Sequence, residues 1–437
     1  MADHARSDDP AVQAQLDRLS QLSPGRDTLG LERISALLDA LGNPERRLPS
    51  VFHVAGTNGK GSTCAVLRAA LEADGKRVHC YTSPHLVRFN ERIRIAGHLI
   101  SDDLLADTLR RVLDVAEPIA PSFFEATTAA AFLAMVEHSA DACVIEVGLG
   151  GRLDATNVIP IPAVCGIAGL GVDHEAFLGD DGVQIAREKA GIAKPGRPLV
   201  TMAYPLPLRA AVAEVAGARD ATVKREGYDW HYARMENHLR IVFEDKSVEA
   251  QLPALAGPHQ QANAALAIAM LLAQNQLAVR LESMEIAPAK AIWPARLQRL
   301  TPGPLTARLG ARNVLLDGGH NVAAAQALAS HLSGHMRYLL ILGMMANKDA
   351  AGWLEAMAPC IAGIIAVPIA DHAHHTPEAL AALAEAHGIP SATASDIRSA
   401  LAMAAQMPDE LGAVPVLIAG SLYLAGEVLR ANGQVVD

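Results

Sequence analysis

The sequence predicts an α/β protein in which a mostly parallel sheet domain is followed by a second, smaller α/β domain. Three observations carry this reading. From Val51 onward, short apolar runs alternate with Ala- and Leu-rich segments of helical period, the pattern of a parallel sheet covered by helices. A glycine-rich turn joins one apolar run to a helix over residues 56–62, as in a P-loop-type domain. The alternation then restarts beyond Gln298 in a Rossmann-like succession of strands and helices. At 437 residues the chain also exceeds one ordinary hydrophobic core.

In chain order, strands are expected at residues 51–55, 77–81, 142–147, 164–168 and 198–201. A helix is expected over 62–73, with Gly75 as its stop, because glycine tolerates the left-handed conformation that ends helices. Between 228 and 252 the pattern alternates, Leu239, Ile241 and Phe243 on one face and Arg240 and Val242 on the other, which predicts a small antiparallel patch. A helix over 263–274 follows, and Pro288 and Pro294 bracket an expected hinge. The domains are therefore placed at 1–297 and 298–437, the second with strands at 314–316, 338–342, 364–367 and 414–419. No fixed short period recurs, which sets solenoids and propellers aside.

Composition narrows the function classes. With 51% apolar and 19% charged residues the chain reads as well-filled folded domains. A net charge of −10 argues against nucleic acid as the main partner, since phosphate neutralisation needs surplus Lys and Arg. The longest apolar stretches, 264–273 and 361–370, fall well short of the ~20 residues that cross a bilayer. Residues 1–9 are polar and charged with no apolar block behind them, so a cytoplasmic location is expected rather than export. Cys64, Cys80, Cys143, Cys165 and Cys360 are widely spaced within apolar runs and read as reduced core residues.

The strongest motif is His53-Val54-Ala55-Gly56-Thr57-Asn58-Gly59-Lys60-Gly61-Ser62. Backbone N–H groups at a helix N-terminus point at an anion, and glycines let the chain approach it. Lys60 can then reach the β and γ phosphates and Ser62 can face a magnesium ion. The spacing departs from the common phosphate loop, with two residues between Gly56 and Gly59 and a glycine between Lys60 and Ser62. The alternative is an ordinary tight turn.

Further blocks then fall into register: Ser83-Pro84-His85-Leu86, Glu146-Val147-Gly148-Leu149-Gly150-Gly151-Arg152-Leu153-Asp154-Ala155-Thr156-Asn157, and Glu188-Lys189-Ala190-Gly191-Ile192. They continue at Trp293-Pro294-Ala295-Arg296-Leu297-Gln298, Asp317-Gly318-Gly319-His320-Asn321 and Gly420-Ser421-Leu422-Tyr423. Together these resemble the folylpolyglutamate synthase family and its bacterial bifunctional dihydrofolate synthase form, over nearly the whole chain. Muramyl-peptide ligases have a similar loop and lysine but usually carry a longer domain ahead of it. Gly148-Leu149-Gly150 alone resembles half of a dinucleotide fingerprint, but Leu153 stands where its third glycine belongs.

The resemblance implies an ATP-dependent ligase that adds L-glutamate to dihydropteroate, and to reduced folates, through an acyl phosphate. ATP would be the co-substrate, with two Mg²⁺ ions, and a monomer is expected. Residues 1–297 would bind ATP and the pterin, and 298–437 would form the glutamate-ligase domain. ATP would meet Gly59, Lys60, Gly61, Ser62, Asn263, Arg296 and Asp317, of which Asn263 also reads as a helix cap and Arg296 as an ion-pair partner. Metal would rest on Ser83, Glu146, His174 and Lys189.

Glu146 ends an apolar run, at the strand edge where ligands collect in such sheets, although a charge leaving the sheet for solvent gives the same pattern. Ser83 reads equally as a turn residue before Pro84, and an imidazole such as His174 is an uncommon ligand for magnesium. A bare Lys189 ammonium would be repelled by a cation; in the family the matching lysine is carbamylated, whereas the plain alternative is a surface ion pair with Glu188 or another nearby carboxylate.

The acceptor pocket would draw on Thr28, Leu29, Ser122, Phe123, Phe124, Glu125, Leu153, Asp154 and Ala155. Phe123-Phe124-Glu125 offers aromatic faces and a carboxylate to a flat ring, with core packing as the alternative. His320 and Ser421 follow predicted strands and would contact the incoming glutamate or the transferred phosphate. A nucleotide-binding regulator that hydrolyses ATP slowly or not at all is the reading from another class.

Overall fold

The computed structural model describes residues 5–22, 29–173, 175–334, 336–407, 411 and 414–434. The chain divides into two compact units, one of Met1–Ala254 with His259–Ile292, the other of Leu255–Pro258 with Trp293–Asp437.

The first unit is built on eight strands: β1 (Ser50–Ala55), β2 (Val78–Tyr81), β3 (Ile93–Ile95), β4 (His98–Leu99), β5 (Ala142–Glu146), β6 (Val164–Ile167), β7 (Pro198–Thr201) and β8 (Thr222–Arg225). They lie in the order β4-β3-β2-β5-β1-β6-β7-β8, parallel from β2 to β8. β1, β2, β5 and β6 read as largely apolar runs because both faces of the sheet are covered. On one face Val51, Cys143 and Ile145 pack with residues of the Asp102–Asp114 and Phe123–Val136 helices. Ala55, Val147, Cys165 and Ile167 pack with residues of the Gly182–Ala190 and Leu206–Gly217 helices. The segment leaving β1 returns to β2 on one side, and the segment leaving β6 runs to β7 on the other. The carboxyl ends of β1 and β6 thus flank a switch point, where open α/β sheets bind ligands.

The expected antiparallel patch is a meander of β9 (Trp230–Arg234), β10 (His238–Phe243) and β11 (Lys246–Gln251). Leu239, Ile241 and Phe243 are its buried face. The helix expected to open at Asn263 starts earlier and spans Pro258–Ala273, because proline is well suited to the first helical turn. Asn263 therefore lies within the helix and is not its cap. Of the two prolines that bracket the expected hinge, Pro288 is buried inside the Leu281–Lys290 helix, its carbonyl accepting from Ala254 N–H at 3.1 Å, and the division between the units falls between the two, after Ile292.

The second unit has six strands: β12 (Gln298–Arg299), β13 (Val314–Leu316), β14 (Tyr338–Leu342), β15 (Ile361–Ala366), β16 (Ser391–Thr393) and β17 (Val416–Ala419). Their order is β12-β13-β17-β14-β15-β16, all parallel except β12. All five cysteines are buried and free, and no helix among the described residues is long and apolar enough to cross a membrane.

Leu340, fully buried in β14 between β15 and β17, tests this core. Leu340→Ala should lower the unfolding free energy by about 2–5 kcal/mol in a urea titration, and an unchanged midpoint would contradict the central place of β14.

Candidate functional site

The glycine-rich turn leaves β1 and is closed against the segment after β6. Thr57 and Asn58 N–H both donate to Gly169 O, at 2.8 and 3.1 Å, and the Thr57 hydroxyl donates to Gly171 O at 2.8 Å. Gly56 (φ +147°) and Gly59 (φ +88°) hold backbone conformations that side chains disfavour. A Cβ on Gly59 would also strike the Asn263 side-chain oxygen. Gly59 caps the Lys60–Ala73 helix, so Lys60, Gly61 and Ser62 form its first turn. Their N–H groups have no partners within the helix, an anion-binding arrangement. The Lys60 ammonium folds back to Thr57 O at 3.4 Å.

Two expected metal ligands meet beside this turn. Glu146, at the end of β5 and 5% exposed, accepts from Ser83 N–H at 3.3 Å. A buried carboxylate next to a hydroxyl residue offers hard oxygen donors of the kind magnesium takes. Thr28 and His174 lie outside the described residues. Among the described residues no group of three or more His, Cys, Asp and Glu side chains is arranged for a metal. Beside Glu146, the expected ligands of an ion at this edge are Ser83, His174 and, if its amine becomes a carbamate, Lys189.

Lys189 is buried, and its Nζ donates to Gly56 O at 3.1 Å. Glu188 is not its ion-pair partner, because the Arg152 guanidinium takes Glu188 at 2.9 Å; the nearby carboxylates whose charge acts on Lys189 are Asp173 and Asp154. Burial, followed by the Lys60 charge, pushes Lys189 down to about 7, against the opposing pull of Asp173 and Asp154. Near neutral pH much of this amine is therefore uncharged, the form that adds carbon dioxide.

On the acceptor side the two adjacent phenylalanines divide. Phe123 is buried, edge-on to Phe89 at 6.2 Å and under the Arg92 guanidinium. Phe124 lies 5.9 Å from Tyr81 and covers Gly148 so closely that any Cβ there would strike its ring. Ser122 and Glu125 form a capping box, the Ser122 N–H reaching Glu125 at 2.6 Å. Arg33, which sequence reasoning missed, takes both Glu125 oxygens at 3.0 Å. These partners already engage the carboxylate proposed for a pterin. Asp154 is likewise enclosed, accepting from Leu149 N–H at 2.8 Å and from Thr156 N–H and hydroxyl at 3.0 and 2.5 Å. Leu153 and Ala155 flank it in sequence, and Leu29 lies ahead of the Glu32–Ala40 helix.

Asn263 sits against the phosphate turn and donates to Gln260 Oε1 at 3.1 Å. In the second unit Asp317 holds the Arg296 loop, accepting from Leu297 N–H at 2.8 Å and Gly319 N–H at 2.7 Å. Arg296 donates to Ala295 O at 2.8 Å, and His320 Nδ1 lies 2.9 Å from Gly318 O. Ser421 caps the Leu422–Ala431 helix after β17. Beside it His372 stacks on Tyr423 at 3.9 Å, and His375 pairs with Lys348 O at 2.8 Å. The signal for this cluster was the run Asp371-His372-Ala373-His374-His375 just beyond a predicted strand.

Residues 307–431 match a family profile described as the dihydrofolate synthetase C-terminal domain. The dihydrofolate synthase/folylpolyglutamate synthase of Escherichia coli K12 is 34% identical over 348 residues, covering 78% of this chain and 79% of the relative. The chain belongs to the dihydrofolate synthase/folylpolyglutamate synthase family. The solved structure of E. coli FolC in complex with DHPP and ADP superposes with a TM-score of 0.86 at 31% identity, over 96% of this chain and 97% of that one. A bifunctional family member with Mn, AMPPNP and L-glutamate bound gives a TM-score of 0.84 at 30% identity, over 96% and 97%. The expected fold, a P-loop-type sheet domain with a smaller Rossmann-like domain, agrees with these family structures.

Gly59→Ala should weaken binding of a non-hydrolysable ATP analogue about tenfold or more while the fold is kept, because the new Cβ meets Asn263 in a disfavoured backbone region. Calorimetric titration checks this, and unchanged affinity would remove the turn from the nucleotide site.

Proposed function

We propose that this family member is an ATP-dependent ligase that joins L-glutamate to dihydropteroate, forming dihydrofolate, and to reduced folates, lengthening their glutamate tail. The observation that carries the reading is the sheet edge at which a glycine-rich turn, the Glu146–Ser83 pair and the buried Lys189 come together. The bound DHPP, ADP, AMPPNP, Mn and glutamate of the family structures support the same substrates.

The chemistry follows from charge. An acceptor carboxylate oxygen attacks the γ phosphorus and ADP leaves with the bridging oxygen, giving an acyl phosphate. The glutamate amine then attacks the acyl carbon, inorganic phosphate departs, and the amine loses a proton. Lys60 and the helix N-terminus offset the charge on the transferring phosphoryl group. Glu146, Ser83, His174 and a carbamylated Lys189 would hold Mg²⁺, which would supply further charge neutralisation. Asn263, Arg296 and Asp317 meet the nucleotide. Phe124 over Gly148, with Leu29, Thr28 and the 153–155 segment, forms the face for the pterin. His320 and Ser421 meet glutamate or phosphate. Residues 1–297 and 298–437 serve as the ATP/pterin and glutamate-ligase domains, and the enzyme works as a cytoplasmic monomer, for which light scattering should return about 46.0 kDa.

Two measurements test this. Lys60→Ala should abolish the mass-spectrometric product from both dihydropteroate and tetrahydrofolate, while retained turnover would contradict its phosphate role. Stripping carbon dioxide should lower wild-type turnover about tenfold or more, restored by bicarbonate; a Lys189→Ala enzyme should be inactive and indifferent to bicarbonate. Equal wild-type rates with and without bicarbonate would exclude the carbamate.

A further inference from the structure

His53 lies in β1, three positions before Gly56, and is completely buried. In strand register it pairs with Ile145 of β5 and Cys165 of β6, so it occupies the centre of the sheet. A polar side chain there requires a partner, and the partner is specific: Nε2 lies 2.8 Å from the Thr156 hydroxyl. That hydroxyl donates to Asp154 Oδ1 at 2.5 Å, so its oxygen accepts from His53 Nε2–H. The other Asp154 oxygen receives Leu149 N–H at 2.8 Å. A continuous chain of hydrogen bonds thus runs from the strand that carries the phosphate turn to the Gly148–Asp154 loop lying under Phe124. His53 Nδ1 has no hydrogen-bond partner among the described residues. The ring is thus tied to the protein by Nε2 alone, and an apolar replacement strands little. Burial pushes His53 down to about 3, which keeps the imidazole neutral and its donor role fixed at working pH.

We propose that His53 is a positioning residue for the acceptor: through Thr156 it holds Asp154, and with it the Gly148–Asp154 loop, in register with the phosphate turn that leaves the same strand. This rests on the ligase reading, in which that loop helps to form the pterin face. In-line transfer depends on sub-ångström alignment of attacking oxygen and phosphorus, and one strand that fixes both loops supplies it without a contact to either substrate.

The test is steady-state kinetics of His53→Leu, His53→Gln, Thr156→Val and the His53→Leu/Thr156→Val double variant, with dihydropteroate and ATP varied separately and the melting temperature recorded. Wild-type turnover with dihydropteroate carries the ligase reading; ratios of variant to wild type carry the role of His53. His53→Leu should raise KM for dihydropteroate about tenfold, with KM for ATP within about twofold and the melting temperature within a few degrees. His53→Gln, which keeps an N–H at that reach, should recover most of the loss. The double variant should be no worse than Thr156→Val alone, since both break one chain. Equal changes in both KM values, no rescue by glutamine, or additive losses would each overturn the proposal.

Discussion

The architecture of the first unit depends on how the glycine-rich turn is held open. Its N–H groups at Thr57 and Asn58 are bound to Gly169 O, Gly56 lies against Ala168, and Gly59 lies against Asn263. None of these approaches leaves room for a side chain on the glycines. The turn is therefore fixed by the pairing of β1 with β6 and by the buried face of the Pro258–Ala273 helix, and an anion meets donors that are already aimed.

A second consequence concerns the Gly148–Asp154 loop. Gly151 packs on the backbone of Glu188 and Lys189, and Arg152 N–H donates to Glu188 O at 2.8 Å. The loop under the Phe124 ring and the helix that presents Lys189 to Gly56 are thus one packed body. Residues distant in the chain share an edge because β1, β5 and β6 are sheet neighbours although β5 and β6 come much later in sequence.

This separation explains what was legible beforehand. Parallel strands buried on both faces are continuous apolar runs, so Val314–Leu316 and Tyr338–Leu342 could be placed to the residue. The turn at Gly56 and Gly59 announced itself because left-handed conformations demand glycine. Helix starts were less visible: Asn263 looks like a cap, but the proline five residues earlier begins the helix and turns that side chain toward Gly59. Pro288 likewise resembled a breaker, but tertiary packing keeps it in a helix. Long-range polar partners were not legible at all. Nothing local in Arg33 signals Glu125, and His53 resembles any other strand residue until Thr156 is folded against it.

The buried thiols have a practical bearing on how this protein meets oxidants. Burial pushes Cys80 and Cys165 up to about 12 and holds Cys64 and Cys143 well above the usual thiol range, so the nucleophilic thiolate is scarcely formed while the chain is folded. Peroxide or alkylating reagents gain access to these sulfurs when the packing around them opens. Their modification therefore records opening of the fold around each sulfur rather than a redox signal, and gives an intrinsic clock for such openings in the first unit.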